Sequence, residues 1–495
     1  MPGGHAARVY LPTHEGHVAW VLRNEPRVLA IGAQSSLTGG ATPFGEALLA
    51  TERMDQILEV SGDRAVVQSG VALVTLQEAA RQAGAFYPPA PTYAGAFVGG
   101  TVSTNAAGAA TWRYGTTRQW VRALRVVIAG GWVLALRRGE VRASEAGTFA
   151  VELPSGEQRQ VAVPTYVMPN VPKRSAGYHA EPGMDLVDLF VGAEGTLGVI
   201  TEIEVGLLHP APQVLACLVP LVSEAAGLAL TTTLRDLSCR VGEGLAPPSE
   251  AGALPIRAIE SMDARCLQLL REDRALGAVS LPASTGFALL IQVEVPPGLD
   301  AHAELERFSE GARDTSPVTR FLGVLHAAGV LDHAEGALPG DRARHEQLAA
   351  IREAVPVAVN HRIAAAKRLD PRIHKCAADM IVPFEGFADA MQAYRGASQL
   401  DWAIWGHISD GNVHPNAIPT SYADCEAAQR AILEFGREVA RLGGCPLSEH
   451  GVGRNAIKQE LLRELYGDSG IAQMRAVKAA LDPQGVLAPG VLFSA

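Results

Sequence analysis

The sequence predicts an α+β chain of two or three domains. Three observations carry that expectation. The 495 residues exceed the ~100–200 that one domain usually holds. Short apolar runs of strand length alternate with stretches of helical periodicity. Loops made almost wholly of small residues interrupt the first two hundred positions. With 48% hydrophobic and 19% charged residues, the chain has the composition of a globular protein and not of a disordered one.

Charge and targeting narrow the classes further. The 42 Lys and Arg against 52 Asp and Glu leave a net charge of −10, without the excess of basic residues that a phosphate backbone would attract, so no nucleic-acid partner is expected. The longest apolar run, Val126 to Leu136, is shorter than the ~20 residues a membrane-spanning helix needs. Residues Met1 to His5 lack the basic-then-apolar pattern of a signal peptide. The expected location is cytoplasmic, with peripheral attachment to a membrane left open. Six dispersed cysteines (Cys217, Cys239, Cys266, Cys376, Cys425, Cys445) without a C-x-x-C pair read as buried thiols in a reducing compartment.

Several chemistries are excluded by absence of their motifs. None of the five lysines follows a glycine, so no Walker A phosphate loop exists. His14-Glu15-Gly16-His17 has the wrong spacing for a zincin helix. No G-x-S-x-G elbow and no strand-linked G-x-G-x-x-G occur, which removes the usual serine-hydrolase and nicotinamide-binding signatures.

In chain order, Val28–Ile31 reads as a strand feeding Gly32-Ala33-Gln34-Ser35-Ser36-Leu37-Thr38-Gly39-Gly40. Small residues let backbone N–H groups approach an anion, so this loop could cradle a pyrophosphate, although an ordinary turn has the same composition. A second loop, Pro88-Pro89-Ala90-Pro91-Thr92, leads into Val98-Gly99-Gly100-Thr101-Val102-Ser103-Thr104 and on to Gly108. Val121–Ala129 and Trp132–Leu136 form a hairpin whose two-residue turn is Gly130-Gly131. A third run, Leu189 to Glu202 with Gly192-Ala193-Glu194-Gly195-Thr196-Leu197-Gly198 at its centre, ends in a strand through Val205. Three such loops suit a flat, phosphorylated cofactor better than three unrelated turns do.

These loops resemble those of the FAD-binding fold shared by vanillyl-alcohol oxidase and the FAD-linked D-2-hydroxy acid dehydrogenases, whose first loop usually reads G-G-G-T-S-L-T-G-G. The resemblance implies a vanillyl-alcohol oxidase/PCMH-type FAD-binding domain with an α+β cap (substrate) domain. Residues 1–210 would be the FAD-binding domain, 211–447 the cap, and 448–495 a segment returning to the FAD domain. Non-covalent FAD would be held by Gly32, Ala33, Gln34, Ser35, Ser36, Leu37, Gly39 and Gly40 at its pyrophosphate. Gly99, Gly100, Ser103, Thr104 and Gly108 would line the flavin, and Glu194, Gly195 and Ile200 would meet its ring and adenosine end. Ala33, Gln34 and Ser35 depart from the family loop, and Gln34 alters its fit. His14 and His17 are expected at the surface, away from covalent flavin attachment.

Beyond His209-Pro210 the composition shifts. Helical periodicity covers 223–235, 341–367 and 385–395, and apolar strands cover Ala288–Val295 and Trp402–Ile408. The Gly240s with Pro247-Pro248, and Pro317 onward, read as exposed loops, and 240–285 carries no obvious chemistry.

The richest string is Gly406-His407-Ile408-Ser409-Asp410-Gly411-Asn412-Val413-His414-Pro415-Asn416. A tight Asp410-Gly411 turn would return His414 toward His407. Two imidazoles with one carboxylate make a three-ligand divalent site with an open position, while two hydrogen-bonded histidines at a strand end remain the plainer reading. Ser448-Glu449-His450-Gly451-Val452-Gly453-Arg454-Asn455 supplies a carboxylate, with glycines suited to close packing against a ligand.

Both strings resemble the metal-dependent branch of the same family, whose usual forms are G-H-x-G-D-G-N-x-H-x-N and G-E-H-G-x-G, with Ser409 and Ser448 standing where glycine is usual. The likeness runs from the first loop to Asp482-Pro483-Gln484-Gly485. It implies that His407, His414 and Glu449 bind a divalent metal (Zn, Mn or Fe), that His450 is the catalytic base, and that Asn416, Arg352 and Lys375 contact the substrate. Pro356, four residues after Arg352, stands where dicarboxylate-specific relatives offer a hydroxyl, which points away from 2-hydroxyglutarate. The implied reaction is oxidation of a D-2-hydroxy acid such as D-lactate or glycolate, with a quinone or an electron-transfer flavoprotein as acceptor and a homo-oligomeric state left open. Three alternatives stand beside it: a non-redox enzyme resembling alkyl-dihydroxyacetone-phosphate synthases, a flavin-bearing non-catalytic subunit, and a flavin-free metal hydrolase.

Overall fold

The computed structural model describes residues 3–89, 91, 93–238, 253–396 and 399–493. The loop expected at the Gly240s and Pro247-Pro248 lies outside these residues, as do Cys239 and Ala90 and Thr92 of the second loop. The chain divides into two compact units. One comprises Met1–Gly108, Gly115–Pro210 and Cys445–Ala495, and the other Ala109–Tyr114 with Ala211–Gly444.

The first unit carries three sheets, of three, five and two strands. Arg8–Tyr10, Ala47–Ala50 and Val28–Ile31 form a parallel three-stranded sheet, and the C-terminal segment extends it. Val28 N–H donates to Val486 O at 2.7 Å, and Ala488 N–H donates to Val28 O at 2.8 Å. Asp482 makes that return possible: its buried carboxylate accepts from the N–H groups of Val486 and Leu487 at 2.9 and 2.8 Å, while Lys478 ties it to Thr196 O and Leu487 O. A five-stranded sheet places Val199–Gly206 between Arg64–Gln68 and Val121–Ile128.

The expected glycine hairpin is present with one difference. Ile128 pairs with Trp132, so the connection has three residues, Ala129 to Gly131, with both glycines at positive φ. Val98–Ser103 is a short helix and not a loop. Glycine disfavours helix, yet here Gly99 N–H donates to Ser69 O at 2.8 Å, and a Cβ at Gly99 would sit 2.5 Å from Ser69 Cβ. Close packing selects glycine where propensity opposes it.

The second unit is built on an eight-stranded sheet in which Phe287–Val295 lies between Gln213–Leu221 and Ile256–Met262, followed outward by Trp402–Gly406 and Asn412–Ala417. Phe287–Val295 is buried along nearly its whole length, and its first five residues are all apolar. The helices Glu224–Asp236, Arg342–Leu369 and Phe387–Gly396 occupy the expected stretches. Pro317 onward is a correction: Pro317–Ala327 is a helix, because Ser316 caps it with Thr319 in a capping box and proline occupies the first turn, where it costs no hydrogen bond.

Candidate active site

In the first unit the loops converge on one cleft of about 370 Å³, lined by Gly32, Ala33, Gln34, Ser35, Ser36, Leu37, Gly40, Gly99, Gly100, Ser103, Thr104, Glu194, Gly195 and Ile200, together with Glu449 and His450. Its size falls within the roughly 300–1,000 Å³ typical of ligand pockets. Gly39 and Gly108 are absent from the wall. Gly39, at φ +74, instead closes a turn by accepting from Thr42 N–H at 3.1 Å, and after Gly108 the chain passes into the second unit.

The wall is set for a phosphorylated, planar guest. A Cβ at Gly100 or Gly195 would meet no protein atom within 4 Å, so open space stands beside the backbone there. Ser103 Oγ–H and Thr104 Oγ1–H already donate to Gly99 O and Gly100 O at 2.7 and 3.0 Å. Their lone pairs are what remain for a ligand. Gln34 occupies φ +51, a left-handed conformation that side chains usually avoid. Its Nε2 donates to Ala41 O at 3.0 Å, which ties the loop across its base and offsets part of that strain. His14 and His17 are exposed, with His14 capping the helix Glu15–Asn24.

Glu194 faces protein and not only the cleft. Its carboxylate accepts from Val452 N–H at 2.7 Å and from Gly453 N–H at 2.8 Å. Burial pushes its pKa up to about 7, against the pull of those two donors. The glycines after His450 are explained here. A Cβ at Gly451 would lie 2.7 Å from Glu194 Oε1, and one at Gly453 2.4 Å from Thr38 Oγ1. They pack against Glu194 and the first loop, where the sequence suggested a ligand. Buried Arg454 completes the tie through Glu46 at 2.7 Å, while its N–H donates to Thr38 O at 3.0 Å.

Lys173 is a residue that sequence reasoning missed. Its side chain is fully buried, with Nζ 2.6 Å from Glu449 Oε1. Ser175 N–H donates to Ser448 O at 3.1 Å, so the segment Lys173–Ser175 supports Glu449 by both backbone and charge. Lysine is rare in this chain, and a lysine within a weakly charged stretch was the available signal.

In the second unit, the left-handed turn at Gly411 (φ +87) is fixed by close packing, since a Cβ there would lie 2.2 Å from Val382 O. The turn sets His414 opposite Trp405, two residues before His407, and the two imidazoles meet at 5.5 Å between centroids and 86° between planes. Each ring has a carboxylate at Nδ1: Asp379 Oδ1 is 3.3 Å from His414, and Glu260 Oε2 is 3.8 Å from His407. Two buried imidazoles set face to edge, each with a carboxylate nearby, make a donor set that suits a divalent metal. Asn412 Nδ2 steadies Asp379 by donating to its Oδ1 at 3.2 Å. Neither Asp379 nor Glu260 was foreseen, and Glu260 lies in the stretch that looked chemically empty.

Arg352 is buried and its Nε edge is ion-paired with Glu260. Asn416 is buried, with Nδ2 donating to His414 O at 2.9 Å. Lys375 is half-buried, and desolvation lowers its pKa. His407, His414, Arg352, Lys375 and Asn416 belong to the second unit, and Glu449 and His450 to the first.

Residues 6–137 match the FAD binding domain family, and residues 248–492 match the family of FAD linked oxidases, C-terminal domain. The mitochondrial D-2-hydroxyglutarate dehydrogenase of Bos taurus is 30% identical over 492 residues, 97% of this chain and 75% of the relative. Glycolate oxidase subunit GlcD of Bacillus subtilis is 28% identical, covering 94% of this chain and 83% of that one. D-lactate dehydrogenase of Anaerostipes hadrus is 27% identical, covering 94% and 84%. An alkyldihydroxyacetonephosphate synthase structure superposes with a TM-score of 0.60 at 15% identity, covering 97% of this chain and 76% of that one. The fold is therefore the PCMH-type FAD-binding architecture with mixed helix and sheet. The chain belongs to the FAD-linked oxidase family that holds these dehydrogenases, and it is an FAD-linked oxidoreductase.

Proposed function

We propose that this protein oxidises a D-2-hydroxy acid of the lactate or glycolate type to the 2-oxo acid, with FAD and a divalent metal as cofactors. The observation that carries this reading is that His450, a side chain able to act as a general base, lines the same cleft as the glycine loops. The relatives' names supply the substrate class.

When bound, FAD would supply a two-electron acceptor, and a divalent metal would supply a Lewis acid that makes the substrate hydroxyl easier to deprotonate. His407 and His414 would hold the metal with Glu449. Asp379 and Glu260 lie beside the two imidazoles, and Lys173 is ion-paired with Glu449. His450 removes the hydroxyl proton. The guanidinium N–H groups of Arg352 beyond its Nε edge, the ammonium of Lys375 and the Asn416 amide are the proposed contacts for the rest of the substrate. The kinship with alkyldihydroxyacetonephosphate synthase is one of fold alone, and the carboxylate-backed histidine pair favours the redox reading.

The test is anaerobic mixing of purified protein with D- and L-2-hydroxy acids, followed in the visible flavin band. The expected result is bleaching by D-lactate or glycolate and not by L-lactate, suppressed by a chelator and restored by added metal. A flavin that stays oxidised with every acid would overturn the proposal.

A further inference from the structure

Away from the cleft and the histidine pair, the second unit gathers a second set of soft donors. His374, Cys376 and Cys425 each offer a ligand atom within 4.8 Å of the others. They come from three different pieces of chain: the coil before a strand, the strand Cys376–Ala377, and the first turn of the helix Tyr422–Arg441. The strand is held in register against the sheet by Cys376 opposite Ala417, so the convergence is built by the fold and not by a flexible loop.

The imidazole is oriented as a ligand's would be. His374 Nδ1 is 2.8 Å from Arg372 O, and a carbonyl can only accept, so the proton sits on Nδ1. Nε2 then carries the lone pair and accepts from Gln429 Nε2 at 2.9 Å. Backbone fixation of one ring nitrogen with the other left basic is the usual support of a metal-bound histidine. Both thiols lie beside the same carbonyl, His374 O, each 3.6 Å from it, and both cysteines are buried.

We propose that His374, Cys376 and Cys425 form a second metal site, for a borderline-soft divalent cation of the zinc type, with structural function. Two sulfurs and one imidazole match the donor preference of zinc and differ from the oxygen and imidazole set proposed at His407 and His414. Binding converts two thiols to thiolates, releases two protons to solvent, and leaves the metal's oxidation state unchanged. The cation takes the His374 Nε2 lone pair from Gln429, whose freed amide oxygen, or a water, completes a tetrahedron. The cross-link would pin the helix Tyr422–Arg441 to the sheet that carries His414. A redox pair is the rival use of two neighbouring cysteines. A disulfide would give the His374 imidazole no part, whereas its ligand nitrogen converges with both sulfurs and its other nitrogen is fixed by Arg372 O.

Cobalt(II) is the probe, added to the flavin-loaded, metal-stripped full chain under reducing conditions. The expected result is a sulfur-to-cobalt charge-transfer band whose full intensity corresponds to one thiolate-bound cobalt per chain. Because the proposed catalytic set contains no sulfur, this band reports on the second site alone and stands or falls independently of the function proposed above. Cys425→Ser and, separately, His374→Gln should abolish the band or weaken cobalt binding at least ~10-fold, with flavin content unchanged. Three results would overturn the proposal: no charge-transfer band although both thiols react with a thiol reagent after denaturation, a band that persists undiminished in Cys425→Ser and His374→Gln, or a Cys376–Cys425 disulfide in the protein as isolated. Should Cys425→Ser fold poorly, His374→Gln, in a half-buried coil position, carries the test.

Discussion

The two units build their candidate sites by opposite means. In the first, the cleft is made largely of backbone: glycines and small residues fix the wall, and Glu449 and His450, which line it, stand on a loop tied to that wall by Glu194 and Arg454. In the second, the histidine pair depends on side chains behind side chains, with Asp379 and Glu260 holding His414 and His407 from other strands or coils. A backbone-built site tolerates changes of side chain but not of glycine. A side-chain-built site is only as rigid as its supporting carboxylates.

The largest expected effect falls on the chemical step itself. His450→Ala should slow anaerobic flavin reduction by about 10²–10⁴-fold while FAD still binds, read by stopped-flow absorbance. An unchanged rate would remove the base from the first unit and erase the contrast.

Next comes the buried ion pair behind Glu449. Lys173→Met leaves a carboxylate without its counter-charge and should cost about 3–5 kcal/mol in chemical unfolding. The double variant Lys173→Met with Glu449→Gln should recover most of that loss. Equal instability of the single and double variants would show that Lys173 acts by packing and not by charge.

Glu194 gives a pH dependence with a definite sign. Its pKa is raised from 4.5 to about 7 in the folded chain, so the folded state binds the extra proton. The stability it contributes is complete below about 4.5 and is lost as pH rises through about 7. Relative to Glu194→Gln, the wild type should lose on the order of 3 kcal/mol across that window, from the shift of one unit per ~1.4 kcal/mol. Thermal unfolding from pH 4 to 8 checks it, and a wild-type stability that stays constant or rises with pH relative to Glu194→Gln would contradict the burial of this carboxyl.

On the side-chain-built half, Asp379→Asn should weaken divalent-metal binding about 10–100-fold, and Glu260→Gln should do less, since it stands farther from its histidine. Metal titration of the flavin-loaded protein separates the two. Gln34 should show the smallest effect: Gln34→Ala keeps the left-handed backbone but loses the bond to Ala41 and should cost about 1 kcal/mol, while Gln34→Gly should be near neutral.

What the sequence made legible follows the same division. The strand Val28–Ile31, the loop after it, and the Glu449-His450 pair are contiguous strings, and contiguous strings carry their own signal. The His407–His414 turn was readable because Asp410-Gly411 names a turn and the spacing names the return. Lys173, Asp379 and Glu260 were not readable, because each is a single charged residue in a strand or coil, and only the folded chain shows what it stands beside. Pro317 misled for a local reason, since proline ends helices more visibly than it begins them. The Val98–Ser103 helix was hidden by Gly99 and Gly100, whose value lies in tertiary packing and open space rather than in helix propensity.

The most direct measurement compares anaerobic flavin reduction by D-lactate carrying hydrogen or deuterium at Cα in the metal-replete protein. If Cα–H cleavage delivers the hydride with His450 as base, the deuterated acid must bleach the flavin several-fold more slowly. Identical rates with both isotopologues while His450→Ala reduces as fast as the wild type would contradict it.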